Sequence, residues 1–127
     1  MKQAQGNGTY AAGAEVFDFR FNARTDRQGD TRGTMTLKRN DSAFSANADV
    51  FCLAVSGHLA TMVGTITETQ GFEDYEELVF IANDNTGSNT PDTFAHIVKH
   101  AGEGQAECFP QTAPHAVTGG DIKVRDA

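Results

Sequence analysis

The sequence predicts an all-β protein, a single antiparallel β-sandwich or closed barrel of about eight strands. Three observations lead there. Apolar residues recur with a period of two in segment after segment, clearest in Phe17, Phe19, Phe21 and Ala23 against Asp18, Arg20, Asn22 and Arg24. Turn-forming Gly, Asn, Asp and Ser separate these segments at intervals of about 8–15 residues. The composition, with 13 Gly, nine Phe and no Trp, suits many short strands with glycine turns better than a helical bundle. The 127 residues are enough for one domain with a real core, and no repeat or linker divides 1–127.

The first strand is expected in Gly6–Ala12, around Thr9 and Tyr10, ended by Gly13. The Phe17–Phe21 strand follows, with its phenylalanine stripe inward, since burying one Phe stabilises by about 2–3 kcal/mol. Thr25–Gly33 is a polar turn, Thr34–Lys38 a third strand with Met35 and Leu37 inward, and Arg39–Ser42 another turn. The stretch Phe44–Thr67 organises the chain as a long hairpin turning at Ser56-Gly57. In its first strand, Val50, Cys52 and Ala54 alternate with Phe51, Leu53 and Val55, so both faces are apolar and burial on both sides is expected. Its second strand places Ala60, Met62, Gly64 and Ile66 on one face. Gly64 marks a bulge or a close backbone approach.

Beyond the hairpin comes an acidic connection, 68–77, then a buried strand Glu77–Asn83, a polar loop, a strand Asp92–His100, an irregular Pro-containing stretch, and a last strand Ile122–Val124. The Gly-rich first strand and the last one are expected side by side, tying both chain ends into a sheet. The expected core is Phe17, Phe19, Phe21, Val50, Cys52, Leu53, Ile66, Phe80 and Ile122.

Net charge is −7, and the sequence contains no basic cluster, which argues against nucleic acid and anionic membranes as partners. No apolar run approaches the ~18 residues of a membrane helix. The start, MKQAQGNGTY, lacks the apolar core of a signal peptide, leaving a cytoplasmic protein or a mature secreted domain preceded by an added Met1. The Gly, Thr, Asn and Asp content favours the secreted reading. Cys52 and Cys108 either form one disulfide or remain two thiols, one of them a small core hydrophobe.

The pattern Phe17-x-Phe19-x-Phe21-x-Ala23, Val50-Phe51-Cys52-Leu53-x-Val55-x-Gly57, Ala60, Gly64-x-Ile66, Asp84-Asn85 and Pro91-Asp92-x-Phe94 resembles small secreted bacterial β-rich proteins, many from actinobacteria, that carry no assigned activity. The resemblance spans about Gly8 to Val124. It implies an extracellular all-β domain and brings no catalytic residues with it.

Candidate chemistry is sparse. The loop Asn83–Asp92 concentrates oxygen side chains, and Asp84, Asn85, Asn89 and Asp92 are candidate ligands for a weak Ca²⁺ site. It lacks the EF-hand spacing, and Asx-turn hydrogen bonding explains the same residues. His96 and His100 have helical metal-ligand spacing, but on a strand they stand about 13 Å apart, too far for one ion. No metal site is expected from them, from His58 and His115, or from the cysteines. Ser56 lacks the glycine two residues before it that a nucleophile elbow needs. Glu73, Asp74, Glu76 and Glu77 read as a solvated acidic run, though such carboxylates could supply an acid/base pair. The triplets Asn7-Gly8-Thr9 and Asn40-Asp41-Ser42 fit the glycosylation pattern, which is frequent by chance.

With no catalytic residues expected, the first functional expectation is a secreted binding or structural module that meets a protein or carbohydrate surface. The alternatives are a small β-barrel enzyme or ligand-binding protein with a polar pocket, and a subunit that self-assembles through an open sheet edge.

Overall fold

The computed structural model describes residues 2–41, 43–85 and 90–125. Eight strands run in chain order: β1 (Lys2–Ala12), β2 (Glu15–Thr25), β3 (Thr31–Arg39), β4 (Ser45–Ser56), β5 (Leu59–Gln70), β6 (Glu77–Asn83), β7 (Thr93–Lys99) and β8 (His115–Arg125). Each pairs antiparallel with the next, and β1 pairs with β8, closing the barrel. The all-β expectation holds, and the barrel is the form it takes. The first and last strands do lie side by side, with Gly6 opposite Ile122.

Period-two alternation produces the interior. Phe17, Phe19, Phe21 and Ala23 of β2 point inward with Met35, Leu37, Met62, Leu78, Phe80, Phe94 and Ile122, all buried. Phe19 stacks face to face on Phe94 at 3.8 Å, and Phe80 meets Phe94 edge-on at 4.8 Å. Room for these rings comes from β1. A Cβ on Gly8 would lie 2.1 Å from the Gly119 carbonyl oxygen and 3.2 Å from the Phe19 ring. Glycine there lets β8 and the ring approach the β1 backbone together.

Strand β4 departs from simple alternation. Its pairing with β5 slips between Val50 and Cys52, with Val50 opposite Gly64 and Cys52 opposite Val63. Phe51 is therefore the extra residue of a bulge and is 40% exposed. The bulge reverses the phase, so Val50, Leu53 and Val55 all face inward and Cys52 faces outward. This corrects the placement of Cys52 in the barrel core, and Ile66 is likewise only partly buried. Gly64 is the close approach expected of it: a Cβ would lie 2.7 Å from both the Asp49 carbonyl and the Met35 methyl. The β4–β5 turn is Gly57-His58, one residue later than expected, with Gly57 at φ +58°.

A strap, residues 100–114, leaves β7 and crosses the outside of the barrel. It contains one 3-10 turn, Gly104–Glu107, and covers a second apolar cluster of Val63, Val79, Ile81 and Ala113, flanked by Cys52, Ala95, Ile97 and Cys108. This is why β6 is buried on both faces. The structure joins Cys52 to Cys108 in a disulfide with Cα atoms 6.4 Å apart, stapling strap to β4. Carboxylates hold the strap's start: Glu77 accepts from the Gly102 and Gly104 amides, and Glu76 from Ala101. Its end is held by Asn83, buried at the end of β6. The Asn83 side chain donates to the Gln111 carbonyl and accepts from the Ala113 amide.

Candidate functional site

Strand β8 meets β7 only at Thr93–Ala116 and Phe94–His115. Beyond that pair, residues 95–99 of β7 have no β8 partner, and the barrel wall opens toward the end where β1 turns into β2. Three side chains gather at this opening from three strands. Tyr10 of β1, buried, hydrogen-bonds through its hydroxyl to His96 Nδ1 on β7, while His115 of β8 stacks on the Tyr10 ring at 5.5 Å. Phe17 meets His96 edge-on at 4.6 Å. Above them, Phe44 and Phe72 pack together at 5.1 Å, and the Arg39 guanidinium lies 4.3 Å over the Phe44 ring. Arg39 is held in place by Glu15 at 3.2 Å and Asp41 at 2.7 Å.

The result is an open cup of about 210 Å³ lined by Ala12, Glu15, Phe17, Phe44, Phe72 and His96. Small-molecule pockets run about 300–1,000 Å³. This one has the scale of a single apolar side chain, with Glu15 the acidic group at its wall.

Electrostatics at the cup follow from burial. Desolvation lowers the His96 pKa to about 4, helped by repulsion from His115. Desolvation raises that of the Tyr10 hydroxyl well above its usual value, opposed by a smaller backbone hydrogen bond from His96. At neutral pH the pair is an uncharged hydrogen bond. Neither group titrates near 7, where proton transfer in catalysis works best.

The other sequence candidates lie elsewhere. In the loop between β6 and β7, Asp92 Oδ1 accepts from the Asn85 amide and Asp92 Oδ2 from the Ile122 amide of β8. Asp84 Oδ2 accepts from the Val124 amide, and Asn85 donates its side-chain N–H to the Pro91 carbonyl. These carboxylates stand in for a neighbouring strand, satisfying β8 amides that β7 is too short to reach. Asn89 lies outside the described residues. His100 sits past the end of β7, stacked on Tyr75 at 5.2 Å and 3.8 Å from Glu76, while His96 faces the barrel interior. His58 and Ser56 are exposed at the β4–β5 turn. Among the described residues no three His, Cys, Asp or Glu side chains come together as a metal group, and no helix is long and apolar enough to cross a membrane.

Sequence reasoning did not find the cup. Its residues come from β1, β2, β7 and two connections, far apart in the chain. The one available signal was Tyr10, a polar-tipped aromatic on the inward face of a glycine-rich strand.

Comparison with protein-family models, with curated proteins and with solved structures finds no match to this chain. The class of protein is therefore defined by its own architecture: a closed eight-stranded barrel with an aromatic cup at one end and a disulfide-stapled strap outside.

Proposed function

We propose that this chain is a non-catalytic extracellular binding module that takes an apolar side chain of a protein partner into the cup. The cup itself carries the reading. It leaves Phe44 and Phe72 only half-buried beside the Phe17 and His96 rings, an arrangement suited to an interface hot spot that receives one anchor residue. Glu15 at the wall shares the Arg39 guanidinium with Asp41, two carboxylates to one cation, and that net acidic rim favours an anchor flanked by a basic residue. The extracellular part is supported by the Cys52–Cys108 disulfide, which persists in oxidising compartments. Barrel closure weighs against assembly through an open sheet edge, because each strand has a partner on both sides along at least part of its length.

The experiment is a titration of isotope-labelled protein with a short peptide carrying Phe beside Arg, followed by amide chemical shifts. Perturbation centred on Ala12, Phe72 and His96, lost in Phe72→Ser, supports the reading. No localised perturbation at millimolar peptide overturns it.

The convergence of His96, His115 and Tyr10 favours a second reading, a small β-barrel enzyme that uses this opening as its active site. Turnover of generic ester or glycoside substrates by the intact protein, abolished in His96→Gln, would bring that reading to the front.

A further inference from the structure

The sequence contains no run of basic residues, yet nine of its ten Lys and Arg lie within 1–39 or 118–127, while eleven of its seventeen acidic residues lie between. The barrel places β8, β1, β2 and β3 side by side, so these two chain ends form one continuous face. Strand register then lines up its cations. Gln3 pairs with Arg125 on one side and Arg24 on the other, and Arg24 pairs with Arg32. The row Arg125–Gln3–Arg24–Arg32 crosses four strands, a span of about 14 Å at ~4.8 Å per strand. Lys123 lies beside it, in the next outward position of β8.

Two features set this row apart from an ordinary solvated surface. Arg24 and Arg32 stand directly opposite each other, a like-charge cross-strand pair that weakens the sheet. Among the described residues, none of Arg24, Arg32, Lys123 and Arg125 makes an ion pair, although the chain is acidic overall. Two shallow depressions follow the row. One, of about 340 Å³, is lined by Gln3, Asn22, Arg24, Arg32, Gly33 and Thr34. The other, of about 210 Å³, is lined by Gln3, Gln5, Lys123 and Arg125.

We propose that this face binds a linear anionic polysaccharide along the Arg125–Gln3–Arg24–Arg32 row. The cations would meet sulfate or carboxylate groups. The side-chain amides of Gln3, Gln5 and Asn22 offer donors and acceptors to sugar hydroxyls. The depressions contain no aromatic residue on which unstacked bases could stack, and the face offers no helix for a duplex groove, so a glycan fits better than nucleic acid. The site lies on the barrel wall and does not depend on the cup.

The test is calorimetric titration of the full chain with dextran sulfate, hyaluronan, neutral dextran and a single-stranded oligonucleotide, at low and physiological salt. The expected result is binding of a charged glycan and none of neutral dextran, with affinity falling steeply as salt rises. The sulfated and carboxylated polymers identify which anion is preferred. Arg24→Gln/Arg32→Gln should weaken binding at least tenfold with the melting temperature kept or raised, since a repulsive pair is removed. Lys38→Gln, off the row on β3, should change it less than twofold. Absence of glycan binding at low salt, equal loss in Lys38→Gln, or tighter binding of the oligonucleotide would each overturn the proposal.

Discussion

Removing the Cys52–Cys108 bond should destabilise the protein without changing its fold. The two cysteines are 56 residues apart. In the chain-entropy model, closing a loop of that length in the unfolded state contributes about 4 kcal/mol. The strap has other anchors, the Glu76 and Glu77 carboxylates at its start and the Asn83 amide at its end, so it should stay docked when the bond is gone. The effect is then expected almost wholly in the unfolded chain. Cys52→Ala/Cys108→Ala should keep the parent far-UV circular dichroism spectrum at neutral pH. With a urea slope of about 2 kcal/mol per molar, its unfolding midpoint should fall by roughly 2 M. Thiol titration of the denatured, unreduced parent should find no free thiol. A midpoint within about 0.3 M of the parent would refute the unfolded-state argument. So would a variant that has lost its native spectrum, since the strap would then depend on the bond for docking.

Three further outcomes follow from single residues. His96 takes up its proton near pH 4 when folded and near 6.5 when unfolded, in a setting shared with Tyr10, His115 and Glu15. Between those values the unfolded chain holds more protons, so the stabilisation is complete above about pH 6.5 and lost as pH falls to 4. At 1.36 kcal/mol per pH unit it amounts to at most about 3 kcal/mol. Urea midpoints at pH 7 and pH 4.5 should therefore differ less in His96→Gln than in the parent, and equal differences would show that His96 does not carry the effect. Among the described residues, the buried Thr61 hydroxyl has no hydrogen-bond partner. Thr61→Val should thus raise stability by roughly 1 kcal/mol, read as a higher melting temperature, whereas a fall would reveal a partner for the hydroxyl. Asp92→Ala removes acceptors from the Asn85 and Ile122 amides and should cost about 1–3 kcal/mol, with faster hydrogen exchange at Asn85 and Ile122. Unchanged exchange there would mean the carboxylate does not close the β7–β8 seam.

Local pattern made the architecture legible. The phenylalanine stripe of β2 could face only inward, because turning it outward would expose three rings to water. The Gly57 turn and the tight Gly64 position were likewise visible in the chain, since each rests on one residue's steric freedom. Longer-range features were not. The bulge at Phe51 depends on how β4 and β5 pair, and it sent Cys52 to the outer face, where the strap covers it. The oxygens of Asp84 and Asp92 suited either a cation or hydrogen bonding to backbone amides; that the amides served belong to β8 follows from β7 being too short for it, which the loop sequence does not display. The aromatic cup and the basic row exist only because barrel closure and register bring residues at opposite ends of the chain to one place. A one-dimensional pattern shows which face a side chain takes; which distant residues share that face is set by strand pairing, which is decided by the packing of the whole barrel.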